Sequence, residues 1–285
     1  MELWFTEYYS NHARFSMRVS KQLYSGESPF QRIDVLETQE YGRVLVIDGF
    51  IMLTERDEFI YHEMISHVPM AVHPNPRKVA VVGGGDGGTV RELVRYPDVE
   101  RIDLIEIDQL VVDVCREFFP STTSGLSDPR VNVYYADGVQ FMGSCQDKYD
   151  LIIVDSTDPI GPGEGLFTRE FYQSCFKALA EDGIMVNQHE GAFYDDDVRA
   201  CQRAHARISE VFPISKVYQA NIPTYASGYW LFGFASKKLD PIEDLREEEW
   251  EKLGISTRHY TTSLHKGAFA LPAYVEKLLA EVRRR

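Results

Sequence analysis

The chain has 285 residues, 44% hydrophobic and 26% charged, a balance that suits a soluble globular protein with one large core or two unequal ones. Its net charge of −14 and the lack of a basic face argue against nucleic acid as a main partner. No apolar run approaches a membrane span, and the acidic start Met1-Glu2-Leu3-Trp4-Phe5-Thr6-Glu7 lacks the basic and apolar regions of a signal peptide.

The first part reads as β-rich. Phe15 to Leu23 alternates, with Met17, Val19 and Leu23 expected on one inner face. Phe30–Thr38 and Arg43–Ile47 read as two further strands, and Asp48-Gly49 as a hairpin turn into Phe50-Ile51-Met52-Leu53. Thr54 is placed to cap a helix from Glu55 to about His67, with Asp57 near the capping-box position. His73-Pro74-Asn75-Pro76 then interrupts the pattern. The expected organisation is an N-terminal β domain with its linking helix over residues 1–67, and a second domain over 68–285.

Beyond that point strand and helix alternate. Strands are expected at Val79–Val82, Ile102–Ile107, Val131–Tyr135, Leu151–Val154 and Ile184–Val186. Helices are expected at Thr89–Tyr96, Leu110–Phe119, Thr168–Leu179 and about Asp195–Val211. Two late strands, Ser215–Gln219 and Tyr229–Ala235, would close the sheet as a hairpin. This alternation predicts an α/β fold with a doubly wound parallel sheet, and the unbroken apolar run Leu151–Val154 predicts a strand buried on both faces.

Gly83-Gly84-Gly85-Asp86-Gly87-Gly88 follows the first of these strands. Gly83, Gly85 and Gly88 fit G-x-G-x-x-G, which lets a backbone turn sharply against a nucleotide-like ligand. Asp86 inside the loop would repel a phosphate or carboxylate and hold an amine. The loop therefore points to a nucleoside with a cationic tail.

Ligands of doubly wound sheets bind at the carboxyl ends of the strands. Acids stand at four successive ends here: Asp86, then Glu106 and Asp108, then Asp137 beside Gly138, then Asp155 and Asp158. One acid after a strand is an ordinary turn residue; four in succession face one crevice. That convergence would attract cations, a use for acidity beyond solubility. Glu106, 20 residues after Asp86, suits ribose hydroxyls, with Asp108 competing for the role. Asp137-Gly138 would put a carboxylate and an N–H beside an adenine edge, or form a plain turn. The loop from Asp155 to Glu164 carries two prolines and two glycines and could act as a lid. Asp155 and Asp158 would face one cationic group, and a carboxylate there can take the proton of an amine that must become a nucleophile.

Tyr61, His62, Gln31, Gln188 with His189 and Glu190, and Tyr225 in the rigid Ile222-Pro223-Thr224-Tyr225 loop are weaker candidates taken singly. The eight histidines show no metal-ligand spacing. Cys115, Cys145, Cys175 and Cys201 form no Cys-x-x-Cys pair and fit reduced thiols, so a cytoplasmic location is expected. Neither a phosphate-binding G-x-x-x-x-G-K-[ST] loop nor a G-x-S-x-G elbow occurs.

Several stretches together carry a resemblance. They are Gly42-Arg43-Val44-Leu45, Asp48-Gly49, Thr54-Glu55-Arg56-Asp57-Glu58-Phe59-Ile60-Tyr61-His62-Glu63-Met64, the loops Gly83–Gly88 and Asp155–Gly163, Ile222–Tyr225, and His265-Lys266-Gly267-Ala268-Phe269-Ala270-Leu271-Pro272. Over nearly its whole length the sequence closely resembles the spermidine synthases of the polyamine aminopropyltransferase family. His62 after Tyr61 places it nearest the bacterial branch. The resemblance implies a small N-terminal β domain before a methyltransferase-like Rossmann domain. It implies transfer of an aminopropyl group from decarboxylated S-adenosylmethionine, a co-substrate, to putrescine or another diamine, releasing methylthioadenosine. No cofactor and no metal are implied, and a homodimer or homotetramer is.

Carried over by position, Asp155 is the proton acceptor and Asp86 holds the amine of the aminopropyl tail. Glu106 takes the ribose hydroxyls, Asp137 and Gly138 the adenine. Gln31 and Pro162 contact the nucleoside, while Tyr61, His62, Asp158, Gln188 and Tyr225 line the amine side. The segment His189-Glu190-Gly191-Ala192-Phe193-Tyr194 departs from the bulkier or tryptophan-bearing stretch of many spermidine synthases. Small Gly191 and Ala192 would enlarge the acceptor pocket, which leaves putrescine, cadaverine, agmatine or a triamine open. Mobility of loop 155–168 in the absence of ligand is also expected. A methyltransferase on the same scaffold is the alternative, and Asp86 with the Asp155–Asp158 pair argues against it.

Overall fold

The computed structural model describes residues 2–146, 148–157 and 161–282, with only the backbone of Gly161 and Pro162. Strands β1 (Leu3–Tyr8), β2 (Arg14–Glu27), β3 (Arg32–Thr38), β4 (Gly42–Ile47) and β5 (Phe50–Thr54) pair in chain order as an antiparallel sheet. Alternation gives the sheet two apolar faces. Ile33, Val35 and Leu45 pack against Val111, Val114 and Phe119 of the second domain, while Leu36, Val44 and Val46 form a separate cluster on the other side.

The expected inner face of β2 does not hold along its length. Met17 and Val19 pack with Leu36 and Val44, but Leu23 packs with Ile33 and Val35. A register shift between Val19 and Lys21 inserts one residue, and a single insertion turns the following side chains over. β1 was not anticipated from the sequence.

Thr54 does not cap the next helix. Its hydroxyl donates to Asp57 Oδ1 at 2.6 Å, and Asp57 precedes α1 (Glu58–Met70). Asp57 Oδ2 accepts from the backbone N–H and hydroxyl of Thr224 at 3.1 and 2.7 Å. One carboxylate thus ties the exit of the first sheet to a loop of the second domain. Residue 67 lies inside α1, and α1 packs on the second domain's elements.

The second sheet contains β6 (Lys78–Gly83), β7 (Arg101–Glu106), β8 (Val131–Tyr135), β9 (Tyr149–Asp155), β10 (Leu179–Gly191), β11 (Ile214–Asn221) and β12 (Tyr229–Ser236). Their order is β11-β12-β10-β9-β6-β7-β8. β6 to β10 run parallel, and β11 and β12 form the expected closing hairpin. Helices α2 (Gly88–Leu93), α3 (Gln109–Phe118), α4 (Gly138–Ser144), α5 (Arg169–Ala178) and α6 (Asp195–Val211) follow β6 to β10 in turn. Apolar residues on both faces of the sheet explain its continuous hydrophobic runs: Val79, Val81 and Ile153 on one, Ala80, Val82 and Ile152 on the other. β6 has β7 on one side and β9 on the other, so the chain reverses its winding there and opens a crevice beyond the two strand ends.

The chain ends in α7 (Glu247–Lys252), α8 (Thr262–Ala268) and α9 (Ala273–Val282), which were not anticipated. Glu63 on α1 secures this region by accepting the backbone N–H groups of Arg258, His259 and Tyr260 at 2.8, 2.7 and 2.8 Å. Glu63→Ala would strand three donors, at a cost of about 3 kcal/mol. The expected result is a melting temperature lower by roughly 5–10 °C and early proteolysis near residues 257–261. An unchanged melting curve would show that water replaces the carboxylate.

Candidate active site

The crevice is fixed by the pairing of β6 with β9, which sets Gly83 opposite Asp155. A Cβ at Gly83 would lie 2.1 Å from the Asp155 carbonyl oxygen, and its φ is +80°. Only glycine lets the two strand ends approach this closely. Asp155 is 8% exposed. Its Oδ1 accepts the Tyr61 hydroxyl at 2.8 Å and its Oδ2 the Thr89 hydroxyl at 2.6 Å. Three elements, α1, α2 and β9, therefore hold one carboxylate. Burial, and then the nearby charge of Asp86, push the Asp155 carboxyl above its ordinary range, against the pull of His62, Thr89 and Tyr61.

Asp86 has the opposite tendency. Burial alone would raise it, but His62 and the Gly88 N–H, which donates to Oδ1 at 2.8 Å, outweigh burial and hold it below the ordinary range. His62 Nε2 lies 3.1 Å from the same oxygen. His62 Nδ1 meets Glu58 Oε2 at 2.6 Å, and Arg91 grips both oxygens of Glu58 at 2.9 Å. Burial disfavours the charged ring, yet these two carboxylates carry the His62 pKa up to about 10. The third glycine of the G-x-G-x-x-G pattern serves this ring: a Cβ at Gly88 would lie 2.2–2.4 Å from its atoms.

Glu106 and Asp108 divide the roles that the sequence left open. Asp108 Oδ1 accepts from Leu110 N–H and caps α3, while its Oδ2 accepts from Ser28 at 2.7 Å and from Gln31 Nε2 at 3.0 Å. Glu106 faces the cavity instead, with Asp108 N–H at 3.0 Å on Oε1 and Gly85 N–H at 3.1 Å on Oε2. Burial pushes the Glu106 carboxyl up to about 7. Asp137 is the N-cap of α4, taking Val139 N–H at 2.8 Å, and it lines the cavity with Gly138 and Gln31. The Asp137-Gly138 turn is thus a helix start.

Gln188, Tyr225 and Tyr61 also line the cavity. Gln188 exchanges hydrogen bonds with Glu190, donating at 2.8 Å and accepting its N–H at 3.1 Å. Tyr225 donates to Met52 O at 2.7 Å, and its ring centroid lies 5.9 Å from that of Tyr61. The cavity brings in residues that the sequence reading missed: Glu7, Tyr9, Asp197 and Trp230.

The expected widening by Gly191 and Ala192 is not found. Neither lines the cavity; Ala192 is buried with Cys201, Val217 and Leu231, and a Cβ at Gly191 would face Asp197 Oδ2 at 3.3 Å. His189 is buried against His205 and does not line the cavity, and burial lowers its pKa to about 3. Asp158 lies outside the described residues, and Pro162 is described for its backbone alone. The loop expected to be mobile falls partly outside them too; its described remainder, Gly161–Phe167, is a 3-10 helix.

One ligand-capable atom each from His62, Asp86 and Asp155 lies within 4.8 Å of the others, so the two carboxylates meet beside the imidazole. Among the described residues no helix is long and apolar enough to cross a membrane.

Residues 58–245 match the spermine/spermidine synthase domain, and residues 3–55 match the spermidine synthase tetramerisation domain. The polyamine aminopropyltransferase of Alkaliphilus oremlandii is 62% identical over 279 residues, 98% of each chain. That of Clostridium perfringens strain SM101 is 61% identical over 282 residues, 99% of each. Among solved structures, a spermidine synthase in complex with the transition state analogue AdoDATO superposes with a TM-score of 0.95 at 45% identity, covering 98% of this chain and 95% of that one. The spermidine synthase of Thermotoga maritima gives 0.94 at 44%, covering 98% and 94%. Two family matches that between them span both sheets, and relatives identical at more than half of their positions, lead to one conclusion: this chain belongs to the spermine/spermidine synthase family of polyamine aminopropyltransferases.

Proposed function

We propose that this enzyme is a spermidine synthase, transferring the aminopropyl group of decarboxylated S-adenosylmethionine to putrescine. The observation that carries the reading is the pair Asp86 and Asp155: two carboxylates in one crevice, the first held ionised, the second pushed toward a proton acceptor's range. Asp86 holds the ammonium of the aminopropyl tail. Asp155 takes a proton from the acceptor amine, freeing its lone pair. That pair attacks the methylene carbon on the sulfonium, the carbon–sulfur electrons return to sulfur, and methylthioadenosine leaves. The sulfonium supplies the leaving group, so no resident cofactor is called for. A cation seated by Asp86 and Asp155 is an ammonium in this reading, since the nitrogens of His62 are both engaged by carboxylates.

Glu106 takes the ribose hydroxyls, Asp137 and Gly138 the adenine, and Gln31 and Pro162 the nucleoside's flanks. Tyr61, His62, Asp158, Gln188 and Tyr225 border the amines. The diamine's distal ammonium finds Glu7 and Glu190 in the same cavity. Oligomerisation through the first sheet, as a homodimer or homotetramer, follows from the match of residues 3–55 and from exposed Leu3, Trp4 and Tyr8.

The test is product identification with putrescine, cadaverine, agmatine, spermidine and norspermidine in turn. Putrescine should give the highest kcat/KM, with spermidine and methylthioadenosine formed in equal amounts. A preference for agmatine or a triamine would reassign the acceptor, and no methylthioadenosine from any of them would overturn the reading.

The ribose role makes a further prediction. Burial pushes the Glu106 carboxyl up to about 7, and hydroxyl donors would favour its charged form and lower that value. Methylthioadenosine binding should therefore release a proton near neutrality and weaken by up to about tenfold per pH unit below it. Calorimetry in buffers of different ionisation heat measures the release. Affinity that stays flat across that range would remove Glu106 from the ribose.

A further inference from the structure

The geometry points to His62 as a permanent buried cation, a positioning residue that aims Asp86 and lets Asp86 and Asp155 stay ionised side by side before any substrate arrives. This rests on the reading that Asp86 receives the tail ammonium. Two carboxylates in so confined a site would otherwise share a proton. The spacing makes the conflict concrete: the facing atoms of His62, Asp86 and Asp155 all lie within 4.8 Å.

Both ring nitrogens of His62 face carboxylate oxygens, Asp86 Oδ1 at 3.1 Å and Glu58 Oε2 at 2.6 Å. A carboxylate oxygen accepts and does not donate, so each nitrogen must carry a hydrogen. Glu58 is itself fixed as an anion by the two-pronged grip of Arg91. Asp86, His62, Glu58 and Arg91 thus form a row of alternating charge running from the crevice into the protein. Among the described residues, the other titratable groups facing this row include Asp155 from β9, Tyr61 from α1, Glu92 beside Arg91, Glu106 across the glycine loop, and the Cys115 thiol of α3. None of these is a cation, so among the described residues His62 is the cation that meets the crevice carboxylates directly.

The ring cannot drift. It is 3% exposed, lies edge-on to Tyr61 at 5.5 Å, and fills the space left by the missing Cβ of Gly88. Asp86 Oδ1 is occupied by His62 and Gly88, which leaves Oδ2 for the substrate.

Two measurements test this. The first is imidazole ¹⁵N spectroscopy of the unliganded enzyme at mildly alkaline pH, with the His62 signals assigned by difference against His62→Gln, or His62→Asn if the former does not fold. Two protonated nitrogens are expected; a single unprotonated one overturns the inference. The second is the pH profile of kcat/KM for decarboxylated S-adenosylmethionine. In His62→Gln the acid limb should move up by roughly 1–3 pH units, because the carboxylates lose their cation. Methylthioadenosine, which lacks the tail, should bind as in the parent, and this reports that the variant is folded. An unmoved acid limb in a variant that binds methylthioadenosine overturns the inference. Failure of the underlying reading shows separately: Asp86→Asn would then leave the KM for the tailed substrate unchanged, whatever the state of the ring.

Discussion

Asp155→Asn should lower kcat by about 10²–10⁴ while methylthioadenosine binds as tightly as before. Asparagine keeps the size of the side chain and can still accept the Tyr61 hydroxyl that Asp155 Oδ1 now takes at 2.8 Å. The Thr89 hydroxyl, which donates at 2.6 Å to Oδ2, can rotate to accept from the new amide. The fold around the site therefore has no reason to change, and what disappears is the proposed acceptor for the amine's proton. The pH profile gives the sign. A base works when ionised, so activity should fall as pH drops through the raised pKa of Asp155, and the variant should lack that limb. Steady-state release of methylthioadenosine, beside its calorimetric affinity, separates the two effects. Turnover within about tenfold of the parent would show that water or another group takes the proton.

How much of this was legible in the chain depends on range. Asp86, Glu106, Asp137 and Asp155 stand where a strand ends and a loop begins, a local pattern, and the topology carried them to one crevice. Glu58, Thr89 and Arg91 were not singled out as site residues, although Thr89 donates to Asp155 and Glu58, gripped by Arg91, meets His62. Glu58 and His62 are four apart on a helix, a spacing that signals contact, but only the fold reveals that both are buried. Leu23 was assigned to the wrong face because a bulge leaves no mark on simple alternation. Gly191 and Ala192 looked like added room because they are small, yet neither lines the cavity: Gly191 faces Asp197 and Ala192 packs into an apolar cluster. Glu7 and Asp197 come from β1 and α6, and nothing near either residue in sequence announces a shared wall.

The same reasoning gives Asp86→Asn two opposite effects. Decarboxylated S-adenosylmethionine presents a lone ammonium at its tail, and S-adenosylmethionine presents a carboxylate beside it. A charge-assisted hydrogen bond contributes about 1.5–3 kcal/mol, so losing the aspartate's charge should raise the KM for the decarboxylated substrate by roughly 10–150-fold. The repulsion that excludes the carboxylate disappears in the same step, and S-adenosylmethionine should become a better inhibitor. Methylthioadenosine, with no tail, is the control, and its affinity should not move. Only a residue that meets the tail can push two ligands in opposite directions while sparing the third. A structural defect would weaken all three together. If both tailed ligands weaken alike, Asp86 shapes the loop and the selectivity lies elsewhere. If they diverge, one carboxylate in a glycine loop separates an aminopropyl donor from a methyl donor, because its charge opposes the group by which those two molecules differ.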